Sequence, residues 1–250
     1  MDSDAMRRRI DGWHSPILGQ QMPIVSYGHW GHPLLLFPTA AADFLENERF
    51  GLVGSVAPAI DAGRVRVFSI NSINNQAWMD RGLPVQEQAR RQALYARYIE
   101  EEVVPYIQHV CQTPDLRIAT TGASFGAFHA ANTLFRRPDL FDGVIAMSGF
   151  YDLGPDYFHG YSDDNCYFNN PASYLPNLEG HNLRLLQTEC KIHILTGQGA
   201  YEAPDASRRL SHLLHSKGIP HHLDLWGHDV DHDWPWWRRM LPYAVDKMGW

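Results

Sequence analysis

The chain of 250 residues is 44% apolar and 20% charged, with a net charge of −7, the balance of a globular protein with a substantial core. The only basic cluster is Arg7-Arg8-Arg9, which reads as a solvated flank, so neither nucleic acid nor an anionic membrane is an expected partner. No run approaches the ~18 apolar residues of a spanning helix, the opening residues lack a signal-type apolar core, and Cys111, Cys166 and Cys190 have no metal spacing. The expectation is a cytoplasmic protein with reduced thiols.

Short apolar runs alternate with helical patterns along the chain, which predicts βαβ units and a mostly parallel sheet with helices on both faces. "PLLLFPTA" (33–40) is a buried strand ending at a Pro-Thr turn, and "RVRVFSIN" (64–71) is a strand entering a sheet. Residues 85–110 have helical periodicity, with Pro105 expected to kink or end the helix. "LRIATTG" (116–122) is a strand followed by a small-residue helix pattern to about residue 135, and "GVIAMSG" (143–149) is another buried strand. Residues 150–176, rich in Tyr, Asp, Asn and Pro, read as a long irregular segment of the kind that carries function. "KIHILTG" (191–197) and "HHLDLWG" (221–227) are strands, with helices expected over 206–218 and 234–248. Neither a linker nor an internal repeat interrupts this order, so 1–250 is expected to form a single domain.

Between strand and helix stands Gly122-Ala123-Ser124-Phe125-Gly126, a G-x-S-x-G pattern. Placed there, it predicts a nucleophile elbow, a strained turn that lifts one serine hydroxyl out at the carboxyl end of the sheet. An unassisted hydroxyl is a poor nucleophile near neutral pH, so a base and an orienting acid should follow on later loops. After the strand 191–197 come Glu202 and Asp205; after 221–227 come His228 and His232. Glu202 is favoured as the acid because Asp205 lies where a carboxylate serves a helix start. His232, which leads into the last helix, is favoured over His228 at the strand end. Phe125 N–H, with Thr39 or Ala40 N–H from the loop after the first strand, is the expected oxyanion hole; Pro38 has no proton to donate.

These stretches resemble the Putative esterase family of the α/β-hydrolase superfamily, whose relatives include S-formylglutathione hydrolases, feruloyl and enterochelin esterases and mycolyltransferases. The resemblance runs through "YGHWGHPLLLFPTA", "TTGASFGAFHAAN", "RRPDLFDGVIAMSGFYD", "NNPASYL", "GQGAYEAP" and "WGHDVDHDWPWWRRMLP". It implies an α/β-hydrolase fold and hydrolysis of a carboxylic ester through an acyl-enzyme. It also implies His232 as base, Glu202 as acid, and no cofactor. The chain departs from the family in having Asp231, not Gly, before His232, and it carries a second Gly-His-Asp at 227–229.

Three other functions compete. Acyl transfer to an alcohol would use the same machinery, and a non-catalytic binding protein would use the same fold. A metal-dependent hydrolase would draw on "HHLDLWGHDVDHDW", with four His and four Asp in fourteen residues, although no H-E-x-x-H pattern emerges and no metal is expected. Trp78, Phe150, Tyr151 and Trp234 are the expected substrate-contacting aromatics, beside Phe125. Asn71, Asn74 and Asn75 are candidates either to face the site or to bond within their loop. The expected partner is a small-molecule ester, and a homo-oligomer is allowed for.

Overall fold

The computed structural model describes residues 7–250; residues 1–6 of the opening stretch lie outside the described residues. Eight strands form one sheet: β1 (Arg8–Ser15), β2 (Gln20–Tyr27), β3 (His32–Phe37), β4 (Val65–Ile70), β5 (Ile118–Ala123), β6 (Phe141–Met147), β7 (Lys191–Thr196) and β8 (His222–Leu225). Their order across the sheet is β1-β2-β4-β3-β5-β6-β7-β8. The β1/β2 and β2/β4 pairs are antiparallel, and every later pair is parallel.

The apolar strands are continuous because both of their faces are covered. Leu35, Phe37, Val144, Ala146, Ile192 and Ile194 point to one core, filled from the other side by Tyr95, Tyr98, Ile107, Ala130 and Leu134. Their alternating neighbours Leu34, Leu36, Ile145, Met147 and Leu195 point to a second core, closed by Leu52, Val53 and the final helix (Trp234–Met248). The elbow helix (Phe125–Arg136) packs on the first face. Thr120, buried within β5, gives its hydroxyl to the Ala130 carbonyl at 3.0 Å and so pins that helix to the sheet.

Three local expectations need correction. Residues 8–27 are a hairpin, and the arginines read as a flank open its edge strand, where Arg8 pairs with Glu48 at 2.8 Å and Arg9 with Asp11 at 2.7 Å. Charged side chains on such an edge discourage pairing with another chain. Pro105 does not end its helix: a π-helical turn (Ile99–Val103) separates Val85–Tyr98 from Val104–Val110, absorbing the backbone hydrogen bond that proline cannot make. That wide turn turns Glu102 toward β1, where it accepts from Trp13 Nε1 at 2.5 Å and Ser15 Oγ at 2.7 Å. The segment 150–176 is not irregular throughout but contains short helical turns at Gly154–Phe158, Asp164–Phe168 and Pro171–Tyr174.

Because β3 through β8 run parallel, the segments after β3, β4, β5, β6, β7 and β8 all emerge at one end of the sheet. Carboxyl ends of parallel strands are where ligand sites form in such sheets.

Candidate active site

Ser124 follows β5 directly and has φ 56° and ψ −122°, a conformation that costs a non-glycine residue about 1–3 kcal/mol. Its N–H is held by the Met147 carbonyl at 3.0 Å, so the strained residue is tied to β6. The flanking glycines are a steric necessity. A Cβ on Gly122 would stand 2.5 Å from the Gly126 carbonyl carbon, and one on Gly126 would stand 2.7 Å from the Phe37 carbonyl oxygen. Both obstacles are backbone. The Phe125 N–H opens the helix at the serine, among first-turn amides that have no partner inside the helix and sit at the positive end of its dipole.

The loop after β3 is braced on every side. Thr39 donates its N–H and hydroxyl to the buried Glu46 carboxylate, at 2.7 and 2.8 Å. Burial pushes that carboxyl above the usual range, although the two Thr39 bonds pull the other way. The Thr39 N–H is therefore already spent, which corrects its expected place in the oxyanion hole and leaves Ala40. Ala40 has φ 38°, Ala42 N–H closes a turn onto the Thr39 carbonyl at 3.1 Å, and the Ala40 carbonyl accepts from Ser72 Oγ and Asn74 Nδ2. Asn71 accepts from Phe44 N–H at 2.8 Å. Asn71 and Asn74 thus bond within this loop region, while Asn75 is exposed.

Glu202 and His232 come together, as the strand-end placement predicts. The Glu202 side chain is 1% exposed, and its Oε2 lies 3.6 Å from His232 Nδ1. Its Oε1 accepts from Ser148 Oγ at 2.5 Å and Gly197 N–H at 3.2 Å, and Oε2 accepts from Thr196 Oγ1 at 3.0 Å. Burial pushes this carboxyl upward, but the neighbouring His232 and the Ser148 and Gly197 donors outweigh it and hold it below the usual carboxylate range. Buried His232 Nδ1 has no other partner among the described residues. The ring stands edge-on to Trp237 at 5.0 Å between centroids.

The alternates are elsewhere. Asp205 lies in the first turn of the helix Pro204–Ser216, 76% exposed and paired with Arg208 at 2.8 Å. His228 is exposed on the turn after β8. Among the described residues no group of three or more His, Cys, Asp or Glu is disposed to hold a metal ion. The dense His/Asp stretch is divided among separate tasks, with Asp224 on buried His193 at 2.8 Å and Asp231 bonded to Ala200 of the Glu202 loop.

Asp231 is the departure from the family pattern, and the structure gives it work. Its carboxylate accepts from Ala200 N–H at 2.7 Å, while His232 N–H donates to the Ala200 carbonyl at 2.9 Å and Gly199 N–H to Val230 at 2.9 Å. A Cβ on Gly199 would collide with the Asp231 carboxylate. The loops carrying Glu202 and His232 are thereby laced together. Asp231→Ala should lower kcat about 10-fold by loosening the pair, with stability changed by no more than about 1 kcal/mol. Steady-state kinetics and thermal melts decide it, and a fully active variant would show the lacing to be dispensable.

The expected substrate aromatics divide. Trp78 is 0% exposed and packs against Tyr157 and Phe158, so it belongs to the core, which corrects that expectation. Phe150 is half-buried, edge-on to Phe125 at 4.9 Å and stacked on Phe128 at 5.7 Å. Phe150 and largely buried Tyr151 line a pocket of about 400 Å³ with Ala203, Ala206 and Leu210, beside the acid rather than over Ser124. Trp234 stacks on half-exposed Phe50 at 4.6 Å and stands against Trp237 at 5.0 Å.

Sequence reasoning missed Ser148, Glu46, Trp237 and His129. Ser148 is buried with φ 50°, and its hydroxyl also accepts from Trp237 Nε1 at 3.0 Å. A serine-glycine pair ending β6 was its only signal.

The family model described as "Putative esterase" matches residues 59–248. No curated protein matches the chain. Among solved structures, a ferulic acid esterase superposes with a TM-score of 0.74 at 17% identity, covering 96% of this chain and 96% of its own. An S-formylglutathione hydrolase from Staphylococcus aureus gives 0.67 at 16%, covering 97% and 98%. The fluorophosphonate-binding serine hydrolase FphF from Staphylococcus aureus gives 0.73 at 15%, also covering 97% and 98%. At such identities these likenesses establish the α/β-hydrolase fold, in accord with the sheet order, while the family match spans most of the chain. The chain therefore belongs to the Putative esterase family and is a carboxylic ester hydrolase.

Proposed function

We propose that the chain is a serine esterase that cleaves a small-molecule carboxylic ester through an acyl-enzyme intermediate, with Ser124 as nucleophile, His232 as base and Glu202 as orienting acid. The observation that carries this reading is the backbone of Ser124, held at φ 56° at a strand-to-helix turn where strain has no structural use but presents a hydroxyl. His232 takes the Ser124 proton through Nε2 as Oγ bonds to the ester carbonyl carbon. Glu202 faces Nδ1, fixes the tautomer and stabilises the imidazolium. The 3.6 Å separation is one that tightens as the ring becomes charged. The Phe125 and Ala40 amides receive the oxyanion, each contributing about 3 kcal/mol. Collapse expels the alcohol with the proton from His232, and water, deprotonated by the same ring, releases the acid.

The chemistry needs no cofactor. Phe125, Phe150, Phe50 and Trp234 around the strand ends favour a small or aromatic acyl group. Cys111, Cys166 and Cys190 are free thiols, and among the described residues no helix is long and apolar enough to cross a membrane.

The test is a fluorophosphonate probe, the class of reagent that FphF binds, followed by intact-mass measurement. Wild type should take up one probe per chain and Ser124→Ala none. Failure of the folded wild type to label overturns the serine mechanism.

A further inference from the structure

Beneath the loop after β3 runs a buried polar chain that the triad does not use. The Ala40 carbonyl accepts from Asn74 Nδ2, and Asn74 Oδ1 lies 3.0 Å from His129 Nε2. Both side chains are buried, at 0% and 2% exposure. A carbonyl oxygen can only accept, so the Asn74 amide must turn its nitrogen to the loop and its oxygen to His129. The imidazole must then carry its proton on Nε2. Phe37 and Phe125 stack on the ring at 5.9 and 5.3 Å, and Tyr95 meets it edge-on at 5.3 Å. Burial pushes the His129 pKa down to about 3, so the ring is a neutral donor at working pH. An aliphatic side chain would fill this aromatic slot without the cost of burying a polar ring, which makes the hydrogen bond the reason to have histidine there.

His129 sits on the elbow helix, whose first residue supplies the Phe125 amide and which begins immediately after Ser124. Asn74 comes from the segment after β4, and Ala40 from the loop after β3. We propose that His129 and Asn74 are positioning residues that hold Ala40 by its carbonyl, and through it the N–H of the same residue, against the helix that begins after Ser124, so that the two oxyanion donors keep a fixed spacing. Ser72 Oγ, 3.1 Å from the same carbonyl and 3.0 Å from Asn74 N–H, completes the clamp. The proposal rests on Ser124 being the nucleophile and on Ala40 serving the oxyanion.

The experiment uses full-length protein, p-nitrophenyl acetate, and His129→Leu, His129→Gln, Asn74→Leu and the Leu/Leu double variant. Misplacing one oxyanion donor should lower kcat about 10- to 100-fold and leave KM within about two-fold, since ground-state binding does not use it. Glutamine can place its amide N–H where Nε2–H stood, so His129→Gln should recover to within about three-fold of wild type. The double variant should be no slower than the slower single one, because one linkage is lost in each. Inhibition by a trifluoromethyl ketone, whose adduct mimics the tetrahedral state, should weaken in step with kcat/KM. Leucine variants with wild-type kcat, losses that multiply in the double variant, or glutamine as impaired as leucine each overturn the relay. Should His129→Leu fail to fold, Asn74→Leu and His129→Gln decide alone. A wild type no faster than Ser124→Ala overturns the hydrolase reading itself, whereas an active wild type with unimpaired variants overturns only the relay.

Discussion

Ser124→Gly should abolish ester turnover and at the same time melt at a higher temperature than wild type. Removing the nucleophile of a serine triad costs on the order of 10⁶ in kcat where it has been measured, leaving only what the oxyanion hole and binding supply. The stability gain has a separate origin. At φ 56° and ψ −122° the serine stores about 1–3 kcal/mol of backbone strain, which glycine does not feel. Glycine's greater freedom in the unfolded chain takes back about 0.5–1 kcal/mol. The remainder, about 1 kcal/mol, raises Tm by about 2–4 °C in a chain of this size. Ser124→Ala has the same loss of turnover but keeps the Cβ and therefore the strain, so its Tm should match wild type. Activity in Ser124→Ala would end the assignment of the nucleophile. A glycine variant that melts no higher than the alanine variant would show that the elbow is unstrained.

The same turn explains why much of the fold and the meeting of Glu202 with His232 are legible in the sequence. Strands buried on both faces, such as "PLLLF" and "GVIAM", are unbroken apolar runs, and the loops that follow them must gather at one end of a parallel sheet. Segments that follow parallel strands leave the sheet at the same end, and there the Glu202 and His232 loops meet. The edge hairpin was not legible because "RRIDGWHS" is a half-exposed strand whose anchor, Glu102, lies far along the chain. The way the helix accommodates Pro105 was not legible because the π turn Ile99–Val103 has no sequence signature. Thr39 and Ala40 could not be separated without Glu46, since only the folded loop reveals which amide is already occupied. Trp78 illustrates the general ambiguity of aromatic residues: the same side chain suits a ligand wall or a core, and only burial distinguishes them.

Glu202→Gln should reduce kcat by about 10³–10⁴-fold while leaving the fold intact at neutral pH. A carboxylate facing Nδ1 demands that the proton sit there, leaving Nε2 free to accept the one from Ser124. A glutamine that turns its amide N–H to Nδ1 enforces the opposite tautomer, in which Nε2 is protonated and useless as a base. Thermal stability gives an independent measure of the same group. The folded-state pKa of Glu202 is lowered because His232, Ser148 and Gly197 outweigh the burial that would raise it, so its ionised form contributes stability. That contribution is present above the unfolded value, about 4.3, and is lost as pH falls through the folded one. Wild type should therefore melt higher than Glu202→Gln at pH 7, and the gap should close as both are acidified below about pH 4. Glutamine does not titrate, and the other carboxylates are common to both proteins, so they cancel from the difference. A gap that stays constant down to about pH 3 would mean that the Glu202 charge is not stabilised in the fold, and a kcat within about ten-fold of wild type would remove it from the catalytic assignment.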